Sequence, residues 1–285
     1  MGCLNHNIPF SHWYANIHFS GKCNRNCYFC IGQFMEDLDS ENNLNLKNLT
    51  NIDKFIEECK KKNITEIALT GTNTDPLLYK HISYLKQYLQ NKMEVKKFRV
   101  TTNGVKILNN LNDWLCFDSA SISFASFNKD INYKMMGGDV IDIEKIYNVT
   151  PFDFKINIVL SSYNCNDDLI ETIQKLNKIG IKKINLREPY GQPNMQNVLY
   201  QLFDKHNIVW DTEKSILGNK IANINGTQVC YWDVHYTEVQ SINLYASGRI
   251  SYDYCITLGH SDNGKVYNQN EFLSEGRKFP QWVNK

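Results

Sequence analysis

Large apolar and polar side chains alternate with period two from Trp13 to Phe19, the pattern of a strand with one buried face. Over residues 46–62 the period lengthens: Leu46, Leu49, Ile52, Phe55, Ile56 and Cys59 recur at helical spacing, and residues 64–70 return to a strand pattern. The same alternation predicts helices over 77–91, 105–111, 142–148 and 167–179, and strands over 97–102, 119–124, 154–161 and 182–187. Six strands that alternate with helices call for a parallel sheet with right-handed crossovers and helices packed outside. Six units are too few to close an eight-stranded barrel, so the expected fold is α/β, an open (βα)6 partial barrel over residues 1–206. Residues 207–285 change character. Period-two alternation over 228–236, 238–246 and 249–256, with Ser247-Gly248 as a tight turn between the last two, predicts a β-rich extension that caps the open side of the barrel.

Composition narrows the partners. A chain of 285 residues with 42% hydrophobic residues can bury about three-quarters of its unfolded surface in one large domain. Thirty-one basic residues against thirty acidic ones give a formal charge of +1, which argues against large nucleic acids, whose binding proteins carry a basic face. No apolar run approaches the roughly 20 residues that cross a bilayer. Residues 1–10 lack both a basic n-region and an apolar h-region, so a cytoplasmic location is expected.

Candidate chemistry concentrates behind the first strand. Cys23, Cys27 and Cys30 follow one another at C-x3-C-x2-C spacing, close enough to converge on one face of an iron–sulfur cube. Three thiolates leave one iron of a [4Fe-4S] cluster open to a small molecule. A structural zinc site would need a fourth ligand, usually from a second C-x2-C or H-x3-H pair, and the sequence contains none. Disulfides suit this spacing less well than a metal does, and no secretory signal precedes it. The six other cysteines, Cys3, Cys59, Cys116, Cys165, Cys230 and Cys255, are too scattered to announce a second cluster; most are expected to be reduced and inert.

The triplet with Phe29 before its last cysteine resembles the cluster loop of the radical S-adenosylmethionine (SAM) superfamily. Across residues 14–194 the resemblance implies a partial radical SAM barrel, a [4Fe-4S] cluster held by Cys23, Cys27 and Cys30, and SAM chelated at the open iron. It also implies a reductant such as flavodoxin or ferredoxin. In parallel α/β folds the site lies at the carboxyl ends of the strands. There Gly71, Thr72 and Asn73 stand where the superfamily keeps a glycine-rich edge for the SAM amino group, with Gly-Thr-Asn in place of the more usual Gly-Gly-Glu. Thr102-Asn103-Gly104 is similar to a turn of family members related to the molybdenum-cofactor cyclase, and Ser123 stands where a polar side chain meets the ribose or carboxylate. Asn-Gly is also a turn dipeptide in any protein.

Arg187 and Glu188 end the sixth predicted strand, so one of them should face the barrel interior. An inward Arg187 suits the SAM carboxylate, and an inward Glu188 suits a substrate amine; pairing with lysines at the rim is the alternative. His18, Tyr190, Gln192, Asn194, Trp232, His235 and Glu238 complete the substrate candidates, each with a core or surface role as the competing reading. Three function classes follow: a small-molecule lyase or rearrangement enzyme, a modifier of a ribosomal peptide or of another nucleoside or sugar, and a non-catalytic cluster-binding protein. The sequence lacks a peptide-binding leader domain and accessory cysteines, which favours the first. A C–N lyase acting on a deazapurine base such as queuine is its most specific form.

Overall fold

The computed structural model describes residues 13–33, 41–189, 195–216, 219–232 and 240–252. Strand β1 (Trp13–Phe19) is followed by helix α1 (Ile52–Lys61) and strand β2 (Glu66–Gly71), then α2 (Ile82–Lys92), β3 (Lys97–Thr102), the short α3 (Leu111–Trp114) and β4 (Ser119–Ser123). Two helices, α4 (Lys129–Met136) and α5 (Ile143–Val149), lead to β5 (Phe154–Val159), and α6 (Asp167–Ile179) leads to β6 (Lys183–Arg187). Helix α7 (Met195–Lys205) precedes β7 (Trp210–Ile216), β8 (Asn219–Ile224), β9 (Thr227–Trp232), β10 (Gln240–Leu244) and β11 (Ile250–Ser251).

Among the described residues eleven strands join one sheet in the order β11-β10-β1-β2-β3-β4-β5-β6-β9-β8-β7, whose two ends do not pair there. Strands β1 to β6 run parallel, as their alternation with helices predicts. The C-terminal strands join the sheet itself. Strand β9 adds parallel to β6 and β10 adds parallel to β1, so the C-terminal segment lengthens the parallel run at both edges. Beyond them β7, β8 and β11 pair antiparallel. The turn predicted at Ser247-Gly248 joins β10 to β11, with Gly248 at φ +86°.

One face of the sheet is the core. Ile156 and Ile158 of β5, Ile184 and Leu186 of β6, and Ala15 and Ile17 of β1 pack with Phe55 of α1, Leu89 of α2 and Leu176 of α6. Because strand residues alternate, the intervening side chains line the opposite, inner face. There the chain places Asn16, His18, Ser121, Lys155, Asn157, Asn185, Ser241 and Asn243, all buried and all polar.

Helix limits depart from the periodicity where local backbone chemistry intervenes. The first helix begins at Ile52 and not at Leu46, because Asn51 takes a left-handed conformation (φ 58°) that a helix cannot continue through. Leu46 is left exposed. Helix α4 escapes the periodic reading because its apolar stripe is short, yet its ends are marked: Asn128 Oδ1 accepts from Asp130 N and Ile131 N, and Gly137 closes it at φ +65°.

Candidate active site

The loop carrying the cysteine triplet leaves the carboxyl end of β1 and rests on two supports. On one side is the turn after β2. Thr72 donates through both N and Oγ1 to Phe19 O, Asn73 Oδ1 accepts from Gly21 N at 3.1 Å, and Thr74 Oγ1 donates to Lys22 O at 3.2 Å. A Cβ on Gly71 would lie 1.7 Å from Thr74 O, so only glycine fits there. Gly71, Thr72 and Asn73 thus brace the start of the cysteine loop.

On the other side is α4. Tyr28 N donates to Met135 O, and Cys27 Sγ lies 3.6 Å from Met136 O. Phe29, with Tyr28 and Cys27, packs on Met135, Met136 and Ala125. The aromatic position therefore seals the loop against apolar side chains. Gly137 and Gly138 let the chain pass close: a Cβ on Gly137 would meet Asn26 O at 2.6 Å, and one on Gly138 would meet the Arg25 guanidinium at 2.1 Å. Arg25 Nη2 in turn donates to Asp139 O at 2.5 Å.

A buried carboxylate holds the third wall. Asp75 accepts from Leu77 N, from Thr102 Oγ1 at 2.8 and 2.9 Å, and from Asn103 N at 2.5 Å. Burial nevertheless pushes its pKa up, against these hydrogen bonds. Asn103, fixed by its backbone, donates through Nδ2 to Asn24 Oδ1 at 2.7 Å and approaches Cys23 Sγ at 3.8 Å. The Asp-Pro pair at 75–76 was a visible turn signal, but nothing in the sequence alone tied Asp75 to the cysteine loop.

Cys23, Cys27 and Cys30 are half-buried and not disulfide-bonded. Burial, with the neighbouring Cys30 and Cys23 adding to it, pushes the Cys27 thiol up to about 12, and burial likewise raises Cys23. Cys23 and Cys27 thus resist ionising unless a cation offsets the charge, which iron does. Among the described residues no three Cys, His, Asp or Glu side chains gather as a site for one metal ion. Cys30 and Cys23 both act on the charge of Cys27, so the three thiols lie near one another, and a cubane takes each thiolate on a different iron. The N–H of Asn103 facing Cys23 is the kind of donor that tunes cluster thiolates.

The remaining sequence candidates divide. Arg187 faces inward, its guanidinium 3.8 Å over the ring of the buried Trp232 opposite it on β9. Glu188 turns elsewhere: its Oε1 accepts from Gln196 N in the first turn of α7 at 2.8 Å, where a carboxylate also meets the positive helix end. Ser123 lines the inner face opposite Asn157. His18, opposite Thr70, lies 3.2 Å from Asn243 Oδ1 and stacks on Tyr245. Tyr190, Gln192, Asn194, His235 and Glu238 lie outside the described residues, as do Cys3 and Cys255. Cys59, Cys116 and Cys165 are free, but Cys230 is disulfide-bonded, unlike the reduced state expected for most of these cysteines.

Residues 17–195 match the model of the radical SAM superfamily. The chain belongs to that superfamily. A GTP 3',8-cyclase of Haemophilus influenzae is 24% identical over 173 residues, which cover 57% of this chain and 50% of the cyclase, so the match spans half the length of that relative. Among solved structures, Streptococcus suis SuiB bound to its precursor peptide SuiA matches with a TM-score of 0.59 at 13% identity, over 95% of this chain and 66% of SuiB. SuiB bound to SAM matches with the same TM-score at 15% identity, over 94% of this chain and 66% of that one. At such identities the SuiB likeness concerns the fold. As a superfamily member the chain is a radical SAM enzyme, and the family implies SAM and an iron–sulfur cluster. No helix among the described residues is long and apolar enough to cross a membrane.

Proposed function

We propose that this enzyme acts on a small polar molecule held against the inner face of the sheet. The observation that carries this reading is the run of buried polar side chains from Asn16 and His18 through Ser121, Lys155, Asn157 and Asn185, where an apolar substrate would leave donors and acceptors unmatched. Cys23, Cys27 and Cys30 would hold a [4Fe-4S] cluster. With SAM and an electron from a flavodoxin- or ferredoxin-type reductant, that cluster supplies reductive cleavage of SAM and hydrogen abstraction from carbon. Arg187 would face the SAM carboxylate, the Gly71–Asn73 edge its amino group, and Ser123 and Asn103 its ribose side. The supports around the cysteine loop keep that end of the site fixed and exclude water.

A C–N lyase on a deazapurine base is one member of this class, and neither the relatives nor the inner face singles it out. The test is anaerobic reconstitution followed by incubation with SAM, dithionite and a panel of nucleobases, nucleosides, amino acids and peptides, with mass spectrometry of products. Substrate-stimulated 5'-deoxyadenosine with a small polar member is the expected result. Stimulation by peptides alone would transfer the site to peptide modification, and no deoxyadenosine under any condition would end the radical reading.

A further inference from the structure

Positive charge is concentrated on the inner face. At the inward positions of β1 to β6 and β9 the sequence places Lys97, Arg99, Lys155, Lys183 and Arg187 against a single acidic residue, Glu66. Glu66 pairs with Arg99 at 3.1 Å, and Lys183 pairs with Asp153 at 2.9 Å at the strand entrance. Lys155 differs from both. It is 2% exposed, and its Nζ has no hydrogen-bond partner among the described residues. Arg99 and Arg187 face it closely enough to act on its charge, and burial before all else, then these two cations, depresses its pKa well below the usual lysine range.

Burying a lysine amine with no counter-charge among the described residues costs several kcal/mol or makes it give up its proton, so natural chains keep one where something pairs with it. The neighbours of Lys155 have the same deficit. Asn157 Oδ1, two residues along the same strand face, and Asn185 Nδ2, its register partner on β6, also lack hydrogen-bond partners. Two donors and one acceptor thus stand together, unmatched and nearly inaccessible to solvent. They lie deep: Lys155 comes four residues before Val159 at the strand end, about 13 Å down β5 from the rim that carries the cysteine loop.

Resting on the small-molecule reading above, we propose that Lys155, with Asn157 and Asn185, forms an anchoring site for an anionic group of the substrate, a carboxylate or a phosphate. An anion there replaces the missing counter-charge for Lys155, relieves its repulsion with Arg99 and Arg187, and accepts from Asn185. Asn157 Oδ1 accepts an N–H or O–H adjoining the anionic group. The depth of the anchor leaves the rest of the substrate to extend toward the strand ends.

The experiment uses the cluster-reconstituted full chain, with inorganic phosphate and acetate as separate probes, in wild type, Lys155→Met, Lys155→Arg and the exposed control Lys178→Met. Calorimetric titration should show binding of one of the two anions to wild type and to Lys178→Met, weakened at least about tenfold, or about 1.4 kcal/mol, in Lys155→Met. Lys155→Arg should retain most of it. Which anion binds identifies the group. Binding of neither anion to wild type, or equal binding by Lys155→Met, overturns the proposal. If SAM affinity, titrated in the same samples, falls together with anion binding, Lys155 serves the cofactor carboxylate and the substrate anchor is wrong. Should Lys155→Met fail to fold, Lys155→Arg and Asn185→Leu carry the test, with binding kept in the first and weakened in the second; any other result for that pair overturns the proposal. A chain that binds the anion through Lys155 yet never cleaves SAM would refute the radical reading and leave the anchor standing.

Discussion

His18 has 1% of its surface exposed, and burial holds its pKa at about 4. The Asn243 hydrogen bond works against this shift and Arg249 works with it. The unfolded chain, with an imidazole near 6.5, therefore takes up the proton first as pH falls. Stability should be full above about pH 6.5 and decline toward about pH 4, with about 2 kcal/mol lost between pH 7 and 5. Urea unfolding at those two pH values should show that loss in wild type and a much smaller one in His18→Gln. A second prediction at this scale concerns the thiols: Cys23→Ala, Cys27→Ala and Cys30→Ala should each abolish both the visible iron–sulfur absorbance and SAM cleavage. A variant lacking all three that still cleaved SAM would refute the cluster assignment.

At the scale of elements, the cysteine loop depends on backbone passing closely on either side. Gly137 sits at φ +65° with no room for a Cβ against Asn26. Gly137→Ala should therefore destabilise the fold by about 1 to 3 kcal/mol and lower the iron bound per chain, read by thermal unfolding and iron assay. Unchanged iron content would mean that α4 does not shape the loop. Helix α4 was the support least visible in the sequence, since only Ile131, Met135 and Met136 mark its packed side. Strands β1 and β3, by contrast, occupy the spans that their alternation predicts, because each buries one complete face against the helices. Glu188 shows the limit of that logic. Alternation could say that one of Arg187 and Glu188 points inward, but the carboxylate's partner, Gln196 N, belongs to the next helix.

For the molecule as a whole, the C-terminal segment supplies strands to both edges of the parallel run, β9 beside β6 and β10 beside β1. A chain ending at Lys205 would expose the ladder groups of two long inner strands. It should aggregate or remain unfolded, measured by size-exclusion chromatography and circular dichroism; a soluble, folded monomer would show that residues 1–205 are self-sufficient.

Strand and helix order, the parallel sheet and the cysteine triplet were legible in the sequence, because hydrophobic period and ligand spacing are local quantities that a few adjacent residues express. The attachment of β9 and β10 to opposite edges could not be read that way, since period two marks a strand without naming its neighbour. Nor could the bracing of Asn103 by Asp75, or the gathering of Lys155, Asn157 and Asn185. A lone lysine in a strand reads as a solvated side chain; its burial among cations arises only when strands distant in sequence curl around one inner face, where desolvation and Coulomb repulsion act through space and not along the chain.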